Sequence, residues 1–456
     1  MFSNRRDAEV AENTQRKTEI MAPLFNVPFF ESPLSKHLKV NKSAVIGIVG
    51  AVVCALAIWE SARIGFARTA AQNALRTNDT AIADRAVRRL PNDAEVHSAR
   101  GIVLQRTENY AEACRELERA IQLRPRDYFL WLMLGVTRDL NDDRQGAVAA
   151  LDESIALAPA YAKPHWLLGN LLLRTGQVDE AFRELRFAAD RDPSLLPNVI
   201  DLAWDISHGD AAQTVATIQP QNDRALMSLA VFLAVHKQGT SAIDQFRRVK
   251  SPPTAAADRL MSELIESKSI AEAFEVWTKT HCASCKPGSL VNDSFEDDIN
   301  VGQSGFGWQI STDAQNVTLS VDASEHESGA RSLRLDFHGS SNSATALASQ
   351  FVIASPGTRY RLSFQAMTKS FVSASAPVVK VIDASDESAT VLGQSSSLSD
   401  VNSWRPFTID FTTSASTRAV EVLVSRQACP NNPCAAFGTL WLDSFALGSA
   451  ANSPQK

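Results

Sequence analysis

The chain contains little tyrosine, methionine or cysteine, and it has no excess of cationic residues. Its 456 residues include 4 Tyr, 6 Met and 6 Cys, and 45 Lys and Arg stand against 51 Asp and Glu, a formal net charge of -6. A nucleic-acid-binding surface needs concentrated positive charge. We therefore expect no nucleic-acid partner, and the length favours roughly two to four domains.

The sequence also lacks the motifs of common catalytic sites. It contains no glycine-rich phosphate loop, no G-x-S-x-G elbow and no H-E-x-x-H zinc motif. Adjacent carboxylates such as Asp142 and Asp143, or Asp297 and Asp298, lie in polar loop sequence, where solvated charge is the ordinary interpretation. The sequence predicts that the protein is not an enzyme and requires no cofactor.

Only one long apolar run is present. Residues 44–59 carry no charge and end at Trp59, a residue type suited to the membrane interface. We predict a transmembrane helix at 44–59, preceded by a polar cytoplasmic tail at 1–43. A cleaved signal peptide is the alternative, although 43 residues form a long leader.

Four of the six cysteines form two close pairs in turn-rich sequence, Cys282 with Cys285 and Cys429 with Cys434. Such pairs predict disulfides, which persist in an oxidising compartment. Zinc binding, haem attachment and redox activity are alternatives for the first pair. Disulfides place everything after the apolar run outside the cytoplasm, so we predict a single-pass inner-membrane protein whose C-terminal bulk is periplasmic.

Residues in the middle of the chain recur every 34 positions. Glycine, alanine, leucine and proline each keep this period over three copies, and Trp131 precedes the central glycine. Four residue types in phase predict a repeated structural unit. The residues are Gly101, Gly135 and Gly169; Ala113, Ala147 and Ala181; Leu117, Leu151 and Leu185; and Pro125, Pro159 and Pro193.

This pattern resembles the tetratricopeptide repeat family, in which small residues let two helices approach and proline ends the second helix. His97 and His165 occupy the position of Trp131, which predicts that they pack rather than bind metal. The resemblance is specific for 94–193, and helical sequence extends the predicted solenoid to 60–280, with about six hairpins. Such solenoids imply a protein partner on the concave face.

After a linker at 281–287, short alternating runs of apolar and polar residues predict an all-β sandwich at 288–449, followed by a tail at 450–456. Seven strands are predicted. They start at Val317, Ser332, Tyr360, Val378, Phe407, Ala419 and Leu440.

The order of these strands resembles jelly-roll carbohydrate-binding modules of the galactose-binding-like type. The resemblance implies a sugar site built from aromatic rings, with Trp308, Tyr360, Trp404 and Trp441 as candidates; the alternative is that these rings belong to the core. It also implies one structural Ca²⁺ held by Glu296 and Asp443, or else two surface carboxylates at strand ends.

The predicted fold is therefore multidomain: an N-terminal transmembrane helix, an all-α tetratricopeptide solenoid and an all-β jelly-roll sandwich. By analogy of domains, this arrangement resembles accessory factors of bacterial exopolysaccharide or O-antigen assembly and export. The sequence thus predicts a membrane-anchored scaffold that binds protein partners and polysaccharide. The alternative is a scaffold for secretion or envelope assembly that binds only proteins.

Overall fold

A computed structural model describes residues 42–299, 305–311, 315–429 and 433–449. The predicted tail at 450–456 and nearly all of the tail at 1–43 lie outside these residues. Within them the chain forms a helical repeat solenoid followed by an antiparallel β-sheet domain, as the sequence predicts.

The first helix, α1 (Lys42–Thr77), is longer than the apolar run that begins it. The apolar part is exposed, and Ile46, Ile58 and Trp59 each keep about 70% of their surface accessible. In the second part Ala67 and Ala71 are buried against the following helices. One continuous helix therefore contains both the exposed apolar part and the part that packs into the solenoid, and over Val45–Thr77 it is long and apolar enough to cross a membrane.

The described residues contain seven helical hairpins, one more than the sequence suggested. Aspartate caps several helix N-termini; Asp93, for example, accepts hydrogen bonds from the backbone N–H groups of Glu95 and Val96. Helix α2 (Thr80–Arg89) completes the first hairpin with α1. The clear repeats comprise α3 (Ala94–Arg106), α4 (Tyr110–Leu123), α5 (Tyr128–Leu140), α6 (Arg144–Leu157), α7 (Ala162–Arg174) and α8 (Val178–Arg191).

The later hairpins form although the repeat signature fades. A short 3-10 helix at Pro193–Leu195 leads into them, and their apolar faces share one core that extends back to Phe182. Helical periodicity and burial thus maintain the solenoid without the repeat signature. These helices are α9 (Leu196–Ile206), α10 (Ala211–Ile218), α11 (Asp223–Val235), α12 (Gly239–Arg248), α13 (Thr254–Glu266) and α14 (Ile270–Thr280).

The β domain is a sandwich of two antiparallel five-stranded sheets, with strand orders β1-β4-β9-β6-β7 and β2-β3-β10-β5-β8. Inward side chains such as Leu335, Phe364 and Val422 fill the space between the sheets. The strands are β1 (Gln309–Ile310), β2 (Val317–Asp322), β3 (Ser332–Ser341), β4 (Ala348–Ile353), β5 (Arg359–Ser373), β6 (Pro377–Asp383), β7 (Val391–Gln394), β8 (Arg405–Thr412), β9 (Ala419–Arg426) and β10 (Cys434–Ser449).

The sandwich packs directly against the last hairpin of the solenoid. Phe306, which is 1% exposed, lies 5.0 Å from Phe274 of α14 and 6.4 Å from both Trp277 of α14 and Phe351 of β4, measured between ring centroids. Ala419 of β9 belongs to the same apolar cluster. The outer face of the first sheet therefore covers the end of the solenoid, which would otherwise expose apolar surface.

Candidate functional site

The in-phase glycines mark the closest contacts within the repeat hairpins. A Cβ atom on Gly135 would lie 2.7 Å from Cγ of Leu151, and the corresponding distances are 2.9 Å for Gly101 to Leu117 and 2.7 Å for Gly169 to Leu185. Ala113, Ala147 and Ala181 are fully buried beside them. The 34-residue period thus reflects one packing contact made three times.

The prolines of the period serve as acceptors as well as helix stops. The indole N–H of Trp131 donates to the carbonyl of Pro125 at 2.9 Å, and Nε2 of His97 and His165 lies 2.9 and 3.2 Å from the carbonyls of Pro91 and Pro159. The two histidines therefore replace tryptophan as donors to the preceding loop. Pro193, the third member of the proline series, begins the 3-10 helix.

Each histidine also needs a partner for its second nitrogen. Nδ1 of His97 lies 2.6 Å from Glu116, and Nδ1 of His165 lies 2.6 Å from Glu184. In the repeat that contains Trp131, the residue in phase with these glutamates is Ala150. An indole ring has no second nitrogen, so it needs no acceptor at that position. The hydrogen bond from Glu116 raises the pKa of His97 above its usual value.

The odd-numbered helices form the inner layer of the clear repeats. Helix α5 packs against both α3 and α7, its neighbours of the same type, while α4, α6 and α8 lie farther from one another. Helices on the inside of a bend are the closer ones, so α3, α5 and α7 line the concave side.

Partly buried apolar side chains recur at in-phase positions on these inner helices. Ile102 and Val136 are in phase, as are Met133 and Leu167, and Asn170 continues the first series with a polar group. We call these five residues the inner groove. A surface that is apolar and concave with a few polar groups is typical of a peptide-binding site.

Three of the four candidate sugar-binding rings are buried, two of them in the core between the sheets. Trp308, Tyr360 and Trp441 are 3%, 6% and 4% exposed, and only Trp404 is half-exposed. Trp308 donates to the carbonyl of Asn292 at 3.1 Å, and Tyr360 stacks on Phe411. A buried ring has no free face for a pyranose, so the structure does not bring the four rings together as a binding platform.

Trp441 has a polar environment on the outer face of the second sheet. Its indole N–H donates to Asp322 at 2.9 Å, and the Arg334 guanidinium lies 5.6 Å from the ring centroid. Burial opposes ionisation of Asp322, but hydrogen bonds from Ser324 and Trp441 outweigh it and hold the pKa of this carboxyl below its usual value. This network fixes the ring in place.

The two candidate calcium ligands bind one loop instead. Glu296 accepts from the backbone N–H groups of Ala330 and Arg331 at 2.8 and 3.2 Å, and Asp443, fully buried, accepts from those of Glu327 and Ser328 at 2.8 and 3.1 Å. Burial raises the pKa of Asp443.

N–H donors oriented at these carboxylates do not suit a cation, which needs six or more oxygen ligands. Over the described ranges no three His, Cys, Asp or Glu side chains lie close enough to hold a metal ion. The residues present therefore do not fit calcium, and the calcium site stays a prediction.

Both cysteine pairs lie at disulfide distance. Cys282 and Cys285 are 5.4 Å apart between Cα atoms and follow α14, and Cys429 and Cys434 are 6.7 Å apart and connect β9 in one sheet to β10 in the other. The remaining cysteines are free: Cys54 is exposed on α1, and Cys114 is buried in α4.

Sequence reasoning did not identify the residues that hold the linker to the sandwich. The side chain of Gln350, fully buried, donates to the carbonyl of Val291 at 2.8 Å and accepts from its N–H at 3.0 Å, as a neighbouring strand would. An isolated glutamine within an alternating strand gives no sequence signal of this role.

Comparison with known proteins supports the class of repeat. A family model described as tetratricopeptide repeat matches residues 94–127. No curated protein matches the chain at a significant level.

Several solved structures have a limited likeness to this chain. A crystal structure of MamA is 20% identical over 33% of this chain and 85% of its own, with a TM-score of 0.29. YrrB, described as a tetratricopeptide-repeat protein with an unusual peptide-binding site, is 22% identical over 36% and 88%, with a TM-score of 0.28. PilF of Pseudomonas aeruginosa is 18% identical over 44% and 98%, with a TM-score of 0.31.

Proposed function

We propose that this protein is a membrane-anchored, non-catalytic scaffold whose repeats bind a segment of a protein partner in the inner groove. The observation that carries this proposal is that Ile102, Met133, Val136 and Leu167 are partly buried apolar residues at in-phase positions on the helices assigned to the concave side. Such a surface suits an extended or helical peptide with apolar side chains.

The exposed apolar part of α1 supports the anchor. None of its most apolar stretch is buried by the rest of the chain, and exposed apolar surface of this extent requires an apolar environment. The disulfide pairs support an oxidising compartment for the solenoid and the sandwich, with the N-terminus on the cytoplasmic side.

Between the two functions that the sequence suggests, the geometry supports the scaffold that binds only proteins. Burial of Trp308, Tyr360 and Trp441 leaves the polysaccharide role without a binding surface made of the predicted residues. The sandwich has a structural role instead, because it covers the last hairpin of the solenoid.

Site-directed photo-cross-linking in cells tests the groove. A photoreactive residue in place of Val136 should capture a protein that the same residue in place of Ala149, exposed on the outer helix α6, does not capture. Val136→Glu should abolish binding of that protein to the purified full chain, and Ala149→Glu is the matched control. Equal capture from both positions, or equal loss in both variants, would contradict the groove.

A further inference from the structure

The solenoid has two edges, formed by the two sets of loops between its helices. Residues 90–93, 124–127 and 158–161 connect one hairpin to the next and lie on the edge from which α1 enters the solenoid. We call this edge the proximal edge. The loops inside the hairpins, such as 107–109 and 141–143, form the opposite, distal edge.

Contacts establish that the proximal edge is next to the apolar run of α1. The Arg63 guanidinium donates to the carbonyl of Arg89 at 3.1 Å, and Arg68 pairs with Asp93 at 2.7 Å. Arg63 follows Trp59 by four residues, which is about 6 Å along a helix. The interfacial layer of a bilayer is of similar thickness, on the order of 5–8 Å per leaflet.

The contact chain continues to the following loops. The Arg119 guanidinium of α4 donates to the side chain of Asn92 at 3.1 Å, which ties the helix that precedes the second loop to the first loop. The rings of Tyr128 and Tyr161, 5.0 Å apart, tie the third loop to the second. The proximal edge is therefore one continuous surface that begins at the membrane end of α1.

Cations outnumber acids among the charges without an ion pair on this edge. Glu60 pairs with Arg63, and Asp93 and Glu95 pair with Arg68, whereas Asp127 has no cationic partner among the described residues and caps α5 through the N–H of Phe129. Exposed cations without an ion pair in the described part of the chain are Arg88, Arg89, Arg124, Arg126 and Lys163.

The distal edge carries both signs of charge. Its exposed acids Glu108 and Asp142 and its exposed cations Arg106 and Arg144 form no ion pair among the described residues, and Arg174 pairs with Asp139. Exposed aromatic rings occur on the proximal edge, where Phe129 is 44% and Tyr161 is 57% exposed. Cations together with exposed aromatic rings are typical of surfaces that contact the headgroup layer of a membrane.

We propose that the proximal edge lies on the bilayer surface and binds anionic phospholipid headgroups through these cations. The proposal rests on the membrane anchor proposed above. It assigns an orientation to the solenoid: the repeats lie close to the membrane with the distal edge directed away from it, rather than extending freely from α1.

Hydrogen–deuterium exchange of the full chain in vesicles tests this orientation. Amides of the proximal segment 119–129 should exchange more slowly in phosphatidylcholine vesicles that contain phosphatidylglycerol than in phosphatidylcholine alone, and the difference should disappear at high salt. The distal segment 139–146 should exchange equally in both. Arg124→Glu with Arg126→Glu should reduce the protection by roughly fivefold for each cation lost; Arg144→Glu, on the distal edge, is the matched control.

Alkaline extraction of the same vesicles separates the two proposals. Protein that is retained and protected at 119–129 supports both. Retention without lipid-dependent protection, or protection that Arg144→Glu removes equally, would overturn the edge contact and leave the anchor intact. Release by alkaline extraction would overturn the anchor and the edge contact with it. Equal protection of segment 119–129 in phosphatidylcholine vesicles without phosphatidylglycerol would show that charge does not direct the edge to the membrane.

Discussion

At the scale of single residues, the repeat depends on positions that have no room for one more carbon atom. Gly135→Ala places a methyl group 2.7 Å from Cγ of Leu151 and 3.3 Å from the carbonyl oxygen of Ala147. Either the hairpin opens or Leu151 leaves its preferred conformation, and overpacking of this kind costs about 1–3 kcal/mol. We expect thermal unfolding followed by circular dichroism to show a lower midpoint for this variant.

Gly65→Ala is the control for this substitution. Gly65 also lies within a helix, but no atom comes within 4 Å of the position that its Cβ would occupy. Alanine favours helix over glycine by up to about 1 kcal/mol, so this variant should be as stable as the wild type or slightly more. If both alanines had the same effect, close packing at Gly135 would not be the cause.

The contact of His97 with Glu116 makes part of the solenoid's stability dependent on pH. The pKa of His97 is raised from its usual 6.5, so the folded state holds the proton more tightly than the unfolded state. The contribution to stability is fully present below pH 6.5 and is lost as the pH rises through the raised pKa. Glu116→Gln should lower the pKa of His97 and weaken this dependence.

An NMR titration of the His97 ring measures the effect directly, and unfolding at pH 6 and pH 8 measures its consequence. Glu108→Gln, which removes an exposed carboxylate one loop away, should leave the titration unchanged. A ring that titrates at the same pH in the wild type and in Glu116→Gln would contradict the role given to this pair.

At the scale of secondary-structure elements, periodicity along the chain predicted what depends on local sequence. Helices α3 to α8 follow the 34-residue signal, and the seven predicted strands correspond to seven of the ten observed. Of the strands that were missed, β1 and β7 have only two and four residues, whereas β4 has six residues and carries Ser349 and Gln350 within its apolar sequence. They form because β4 pairs with β9 and β7 with β6, and a pairing partner in space is not visible in the strand's own residues.

The Cys429–Cys434 disulfide should stabilise the connection between the two sheets. It joins the end of β9 to the start of β10, which lie in different sheets. Closing a loop of this size lowers the conformational entropy of the unfolded chain, which adds about 2 kcal/mol to the free energy of unfolding. The double variant Cys429→Ser, Cys434→Ser should lower the free energy of unfolding by about that amount in urea, and Cys54→Ser, which removes an exposed free thiol, is the control. Equal stability of the double variant and the wild type would exclude such a contribution.

At the scale of the whole molecule, the sequence predicted the order of the domains but not how they meet. The aromatic residues chosen as sugar ligands are mostly buried, because burial depends on which strand lies opposite each ring. Phe306 and Glu421, which lie at the junction of solenoid and sandwich, carry no motif at all. Their position depends on the packing of a sheet face against α14, which no local pattern encodes.

The junction should make the two domains unfold together. Phe306→Ala removes the ring that contacts Phe274, Trp277 and Phe351, and truncation of a buried phenylalanine costs about 3–5 kcal/mol. We expect calorimetry to show one unfolding transition for the wild type and two for this variant.

Phe437→Ala is the matched control, because Phe437 lies in β10 and is 52% exposed. It should leave the single transition intact. Two transitions in the wild type would mean that the domains are coupled only weakly in solution.

Glu421 makes this junction sensitive to pH. It lies opposite Phe351 in the register of β4 and β9, on the sheet face that meets the solenoid. Burial raises the pKa of its carboxyl above the usual 4.5, although a hydrogen bond with Ser349 and the charge of Lys268 act in the other direction. The protonated form is thus favoured in the folded protein. Its contribution to stability is complete below pH 4.5 and is lost as the pH rises through the raised pKa.

Glu421→Gln, which stays neutral, should therefore match the wild type near pH 4 and exceed it in stability near pH 7, as measured by urea unfolding across this range. Glu387→Gln, an exposed glutamate of the same domain, should leave the pH dependence unchanged. Parallel curves for Glu421→Gln and the wild type would show that the carboxylate remains hydrated at the junction. If the stability curves of Glu421→Gln and the wild type meet only at low pH, the pH sensitivity of the domain contact comes from the Glu421 side chain.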